Sequence, residues 1–211
     1  MSAVGNALTL TSPLPPAGLL RALNGTAPDI FFTAATVVPE SFRVRGATRR
    51  VYRYFQPDGS YDLRKWEDVA QRFSGRIDVR SFGRSVPAEA PVWRTIDLVT
   101  VTPRPGGALI EIRAPSFVWG MVRKIVAAFR EIDAGRLSLD RLETALRGGA
   151  RLTLPLVEPE PLVLWDVEYP FPWQYRWRGP SRHRLAWEKS AWANLWVRRE
   201  LLAAFSQGTQ S

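Results

Sequence analysis

One stretch limits the fold more than any other. Residues 108–132 read Ala-Leu-Ile-Glu-Ile-Arg-Ala-Pro, then Ser-Phe-Val-Trp-Gly-Met-Val-Arg-Lys-Ile-Val-Ala-Ala-Phe-Arg-Glu-Ile. The first part is rich in β-branched residues and stops at Pro115, which predicts a strand. Ser116 is expected to cap the helix that follows. Val118, Val122, Ile125, Phe129 and Ile132 recur at helical spacing and predict a buried stripe. Arg123 lies beside that stripe near the helix start. On pattern alone it reads as an ordinary arginine laying its stem along a solvated flank.

The rest of the chain supplies more strands and helices. Residues 6–11 alternate and predict a strand, which Pro13, Pro15 and Pro16 end. Pro16 opens a short helix to Leu23, and Asn24-Gly25 stops it. Strands are expected over 30–38, entered through Pro28-Asp29, and over 42–55, with Gly46 at a bulge. Asp58-Gly59 marks a turn. Asp62–Phe73 is amphipathic, with Leu63, Trp66, Val69, Ala70 and Phe73 on one face. Residues 94–102 form an apolar strand that Arg104-Pro105-Gly106-Gly107 turns back into the 108 strand. Ser138 starts another helix, which Gly148-Gly149 ends. Residues 162–169 close with a strand, and 186–205 read as a helix. Helix, strand, strand, helix, helix, strand predicts an α+β fold: antiparallel sheet, helices on one face.

Charge brings in function. The net charge is +9, and of 29 basic residues only Lys65, Lys124 and Lys189 are lysine. Arginine forks suit phosphates, and nine tryptophans add flat stacking surface. Together they favour a nucleic-acid partner over an incidental positive surface. Cysteine is absent, which excludes disulfides and thiol chemistry and fits a reducing, cytoplasmic setting. No apolar run reaches the roughly 20 residues of a membrane span, and the N-terminus is not read as a secretory signal.

Candidate chemistry is restricted. Arg43, Arg45, Arg49, Arg50 and Arg53 interleave with Tyr52 and Tyr54. On a pleated strand the two tyrosines share a face and Arg53 opposes them. That pattern suits a surface that stacks a base and holds its backbone. It equally suits a plain two-faced strand with aromatics inward. His183 is the only histidine, which leaves little for serine–histidine or metal–histidine schemes. No glycine-rich phosphate loop of the Walker or dinucleotide type occurs. Glu158 and Glu160 read as loop carboxylates.

Six segments in order then carry a resemblance. They are Leu23–Ile30, Phe42–Tyr54 with its Arg-Val-Tyr-Arg-Tyr run, Ile77–Phe82, Arg94-Thr95-Ile96, Ser116–Val126 and Pro159–Tyr169. Together they resemble the TruA family of tRNA pseudouridine synthases, of archaeal type. Pro161 stands where the family has glycine. Residues 170–211 lie outside the match.

The resemblance implies isomerisation of uridine to pseudouridine in the anticodon arm of tRNA, with no cofactor and no metal. It implies that Tyr52 stacks the base and that Arg123 pairs with a catalytic aspartate. A buried guanidinium keeps a carboxylate ionised, and an aromatic face holds an unstacked base. Arg43, Arg45, Arg49, Arg50, Arg53 and Arg80 are the expected RNA contacts. A homodimer sharing its tRNA is also implied. Two ferredoxin-like-related subdomains are expected: an incomplete one at 1–56 and a second at 57–170, followed by a Trp/Arg-rich extension at 171–211. The family's Arg-Thr-Asp motif is not in the chain; Ser2-Ala3 fits the motif's end and Met1 falls on its valine. The expectation is a reading frame begun late, and a chain inactive as written. In-frame codons for that motif upstream in the genomic DNA would bear this out; a stop codon there would refute it. The rival expectation is a non-catalytic RNA-binding module on the same scaffold.

Overall fold

A computed structural model describes residues 2–27, 30–57, 61–84, 86, 92–179 and 182–207, the side chains of 182–183 and 199–207 excepted. Pro28-Asp29 and the Asp58-Gly59 turn lie outside the described residues. The elements are β1 (Ser2–Ala3), α1 (Pro16–Thr26), β2 (Ala34–Ala35), a 3-10 turn (Val44–Gly46), β3 (Arg49–Pro57) and α2 (Leu63–Arg72), then β4 (Gly75–Asp78), β5 (Trp93–Ile96), β6 (Leu98–Arg104), β7 (Gly107–Ala114), α3 (Met121–Asp133), α4 (Leu139–Leu146), β8 (Leu162–Glu168), β9 (Tyr175–Arg176) and α5 (Arg182–Gln207). The class is α+β, as the order of elements predicts. No described helix is long and apolar enough to cross a membrane.

The chain forms two compact units: Met1–Leu8 with Arg43–Pro170, and Thr9–Phe42 with Phe171–Ser211. In the first unit a five-stranded sheet runs β1-β8-β3-β7-β6. Its pairs are antiparallel except β1 with β8. A separate antiparallel hairpin joins β4 to β5.

One face of the sheet carries Tyr54, Val99, Ile110 and Ile112, all buried. Against it pack Trp66, Val69 and Phe73 of the α2 segment and Ile125, Val126 and Phe129 of α3. Phe129 stacks on Phe73 at 6.1 Å and meets the edge of Trp66 at 5.4 Å. Offset and edge-to-face rings at such separations gain beyond simple burial. Asp62 caps α2 by accepting from the backbone N–H groups of Arg64 and Lys65. Ser138 caps α4 as expected.

Several sequence expectations shift. α3 begins at Met121, not after Ser116, because Gly120 adopts φ +81° and serves as the N-cap. A left-handed residue there suits glycine, and an added Cβ would sit 3.2 Å from Leu156. The expected strand over 42–55 starts only at Arg49, after the 3-10 turn. The strand over 94–102 divides at Asp97 between the β4–β5 hairpin and the main sheet. Residues 6–11 form no strand, and of 30–38 only Ala34–Ala35 pairs. Alternation in such short polar runs marks extended backbone without supplying a partner strand.

In the second unit, Pro16 opens α1 as predicted. The buried Asn24 amide bonds the backbone of Phe32 twice, at 2.9 Å each. β2 pairs antiparallel with β9. α5 leaves Trp192, Leu195 and Trp196 exposed.

Phe129→Ala should cost about 3–5 kcal/mol, the range for emptying a buried aromatic site. The check is a lower urea midpoint at unchanged slope. A loss below about 1 kcal/mol would mean that α3 does not build this core.

Candidate active site

β3 lies between β7 and β8, so its alternation sorts the candidate residues between two sides of the sheet. Tyr52 and Tyr54 face the helices, and Arg53 faces away, as their spacing predicts. Tyr54 is fully buried. Its hydroxyl lies 3.2 Å from the Glu158 carboxylate, to which it donates, and 3.2 Å from Arg130, from which it accepts. Tyr52 is half-buried, with Phe117 edge-on at 4.8 Å and 78°. Burial pushes the Tyr52 phenol above its ordinary pKa, and the positive charge of Arg50 partly opposes this. The ring therefore stays neutral at physiological pH, as a stacking surface requires.

Arg123 is the third residue of α3, in its first turn and half-buried. Its Nε–H donates to the Val157 carbonyl. Among the described residues no acceptor bonds its two terminal nitrogens, which leaves a fork edge for an anion.

The loop that holds Arg123 is itself clamped. Glu158, next to Val157, receives Arg130 at 2.8 Å and the Tyr54 hydroxyl. Arg130 also donates from Nε to Gln56 at 3.0 Å. Burial raises the Tyr54 pKa, while Arg130 and, more weakly, Arg123 oppose that rise. The field of Arg123 thus reaches the tyrosine two residues along from Tyr52, on the same face. No hydrogen bond joins Tyr52 to Arg123; they share a side of the sheet and the Phe117–α3 segment.

The expected RNA-contacting arginines divide. Arg50 lies on the Tyr52 side and donates to the carbonyls of Pro115 at 2.6 Å and Arg45 at 2.8 Å. Arg43 and Arg45 are exposed on the approach to β3. Arg49 pairs with Asp97 at 3.1 Å and Glu168 at 3.2 Å. Arg53 is on the opposite face from Tyr52. It pairs with Glu111 at 2.6 Å and lies 3.7 Å over the Trp165 ring. That ring is placed by a register shift between Val51 and Tyr52, which leaves Trp165 without a partner on β3. Arg80 is largely covered, bonded to the buried Asp78 at 2.6 Å and to the Gly148 carbonyl at 2.9 Å. Its fork braces the β4 end against the α4 end rather than facing solvent.

Sequence reading missed Arg130 and the part played by Glu158. Arg130 follows Arg123 by seven residues, two helical turns, so both lie on one face of α3. That spacing was a usable signal; the long-range carboxylate partner was not.

Comparison with known proteins gives the family. A family model described as tRNA pseudouridine synthase matches residues 69–170. A Thermococcus sibiricus protein named tRNA pseudouridine synthase A is 32% identical over 206 residues, 97% of this chain and 72% of that protein. The chain belongs to the tRNA pseudouridine synthase family. Two further members of the family bear the same name. The protein of Thermococcus gammatolerans is 37% identical over 149 residues, 70% of this chain and 55% of its own length. That of Pyrococcus abyssi is 34% identical over 172 residues, 80% and 65% respectively. The chain therefore spans little more than half of the Thermococcus gammatolerans relative. The pseudouridine synthase match takes in β4 to β8 and so includes Arg123, Arg130 and Glu158; Tyr52 precedes it.

Glu111 offers a pH test of the sheet's other face. Burial alone would raise its pKa, but hydrogen bonds from Arg53 and Arg113 outweigh that and hold it below the ordinary range. These bonds therefore stabilise above pH ~4.3, the unfolded value, and fade as pH falls through the lower folded value. Glu111→Gln should be less stable by about 2 kcal/mol at pH 7. The gap should shrink toward pH ~3 in denaturant titrations; a gap independent of pH would contradict this account.

Proposed function

We propose that this chain carries the uridine-holding part of a tRNA pseudouridine synthase acting on the anticodon arm. Tyr52 stacks the face of the flipped base. Arg123 offers its free fork edge to the carboxylate that starts the reaction. The isomerisation breaks the N1–C1′ bond of uridine and forms C5–C1′. One proton leaves C5 and one joins N1, so the balance calls for no oxidant or reductant.

The observation that supports this most is the state of Arg123. Its Nε is fixed on a backbone carbonyl, its terminal nitrogens have no acceptor among the described residues, and it lies at the start of α3. A helix N-terminus adds partial positive charge to the same spot. The side-chain position is thus set before any anion arrives, which lowers the entropy lost on pairing.

Arg43, Arg45 and Arg50 line the proposed path of the RNA backbone. Arg49 and Arg53 contribute where they can share their carboxylate-bound forks. The homodimer and the cytoplasmic location of the family complete the proposal. The Arg-Thr-Asp motif that supplies the family's aspartate is not among the 211 residues. The rival reading is an RNA-binding module on the same scaffold, without turnover.

Two measurements on tRNA transcripts decide. Binding should weaken steeply with salt, and Tyr52→Ala should cost about 1–3 kcal/mol while Tyr52→Phe costs little, as stacking demands. Salt-insensitive binding, or equal losses in both variants, would defeat the assignment. Pseudouridine formed by the chain itself, read by mass spectrometry of a nuclease digest, would exclude the non-catalytic reading.

A further inference from the structure

Beside the Tyr52 region lies a cleft that the family resemblance does not assign. It encloses about 290 Å³ and is lined by Arg76, Trp93, Arg94, Thr95, Pro115 and Ser116. We propose that it binds a phosphodiester of the RNA strand next to the target uridine. The inference rests on the RNA reading above and extends it.

The sequence builds the cleft through the β4–β5 register. Arg76 pairs with Thr95, and Asp78 with Trp93. Arg76 and Trp93 are therefore diagonal neighbours on one face of the hairpin, within reach of long side chains. The Arg76 guanidinium carbon lies 5.0 Å from the Trp93 ring centroid. An aromatic face holds a cation in place without cancelling its charge, unlike a carboxylate. Arg94 donates one terminal nitrogen to the Trp93 carbonyl at 2.8 Å. That partner is also uncharged.

Among the described residues no carboxylate lines the cleft. Asp78, the acid on the described strands of the hairpin, is 1% exposed. It is taken up by Arg80 and by the backbone N–H groups of Arg80 and Val92. Among the described residues neither Arg76 nor Arg94 forms an ion pair. Arg76 and Arg94 thus both line one recess, and among the described residues no carboxylate offsets their charge. The hydroxyls of Thr95 and Ser116 add neutral donors. This donor set suits the two non-bridging oxygens of a phosphodiester.

Position links the cleft to the proposed site. Ser116 precedes Phe117, whose ring packs on Tyr52. Arg50 anchors the same wall by donating to the Pro115 carbonyl at 2.6 Å. A base held on Tyr52 and a phosphate held in the cleft share a single turn of protein backbone, residues 115–117. Gripping the strand beside a flipped base offsets part of the unstacking cost.

The test is the salt dependence of tRNA binding by the intact chain. Arg76→Ala and Arg94→Ala should each lower the slope of log K against log salt by about 1, and the double variant by about 2. Arg147→Ala, on the exposed end of α4 and outside the cleft lining, also removes one arginine and should leave affinity and slope near wild type. Thermal melts confirm that each variant is folded; these side chains are surface-accessible and outside the core. If the Arg76 and Arg94 variants match Arg147→Ala while Tyr52→Ala still weakens binding, the cleft proposal fails and the functional reading stands. If the wild-type chain shows no salt-dependent tRNA binding, both fall.

Discussion

β3 is hydrogen-bonded along both edges, and the placement of Tyr52, Arg53 and Tyr54 follows from that constraint. With β7 on one side and β8 on the other, it has no freedom to rotate. A slip of one residue would exchange Tyr54 for Arg53 in the core, exposing a ring and burying an unpaired guanidinium. The register is therefore pinned by the same residues that face the proposed pocket. The shift between Val51 and Tyr52 is absorbed by Trp165, which finds a use under Arg53.

From this strand, support passes to α3 and then to the loop after α4. Tyr54 is the meeting point. Its ring belongs to the core, and its hydroxyl reaches Arg130 of α3 and Glu158 of the loop. The loop returns that support by offering the Val157 carbonyl to Arg123. Strand, helix and loop are thus tied by one small polar network at the edge of an apolar core. Such networks strengthen when fully satisfied and fail together when one member is lost.

Much of this was legible in the sequence. The 108–132 stretch gave a strand, a turn and a helix with a buried stripe, because local periodicity and burial point the same way there. The helix starts at Asp62 and Ser138 were readable because capping is a local bond. The sharing of one face by Tyr52 and Tyr54 followed from strand geometry alone. The start of α3 was not readable: Ser116 is chemically a good cap, but the chain turns at Gly120, where a left-handed residue decides the boundary. The setting of Arg80 was not readable either. Its partner Asp78 lies only two residues away, but whether that pair is buried depends on α4 and the Gly148 carbonyl, far along the chain. Arg76 and Trp93 meet across a hairpin whose register no local pattern announces.

The arginines themselves show why total charge is a poor guide to where RNA would bind. Arg49, Arg53 and Arg80 are held by carboxylates, which cancel most of their field. Arg50, Arg94 and Arg123 are held by backbone carbonyls, and Arg76 by an indole face. Those partners fix position but leave the charge intact. An incoming phosphate or carboxylate gains full attraction to the second group, and only the remainder of a paired field from the first. Among the described residues, Arg50, Arg76 and Arg94 flank the Pro115 turn with no carboxylate partner. Positive potential is concentrated there by the choice of partners, more than by the number of arginines.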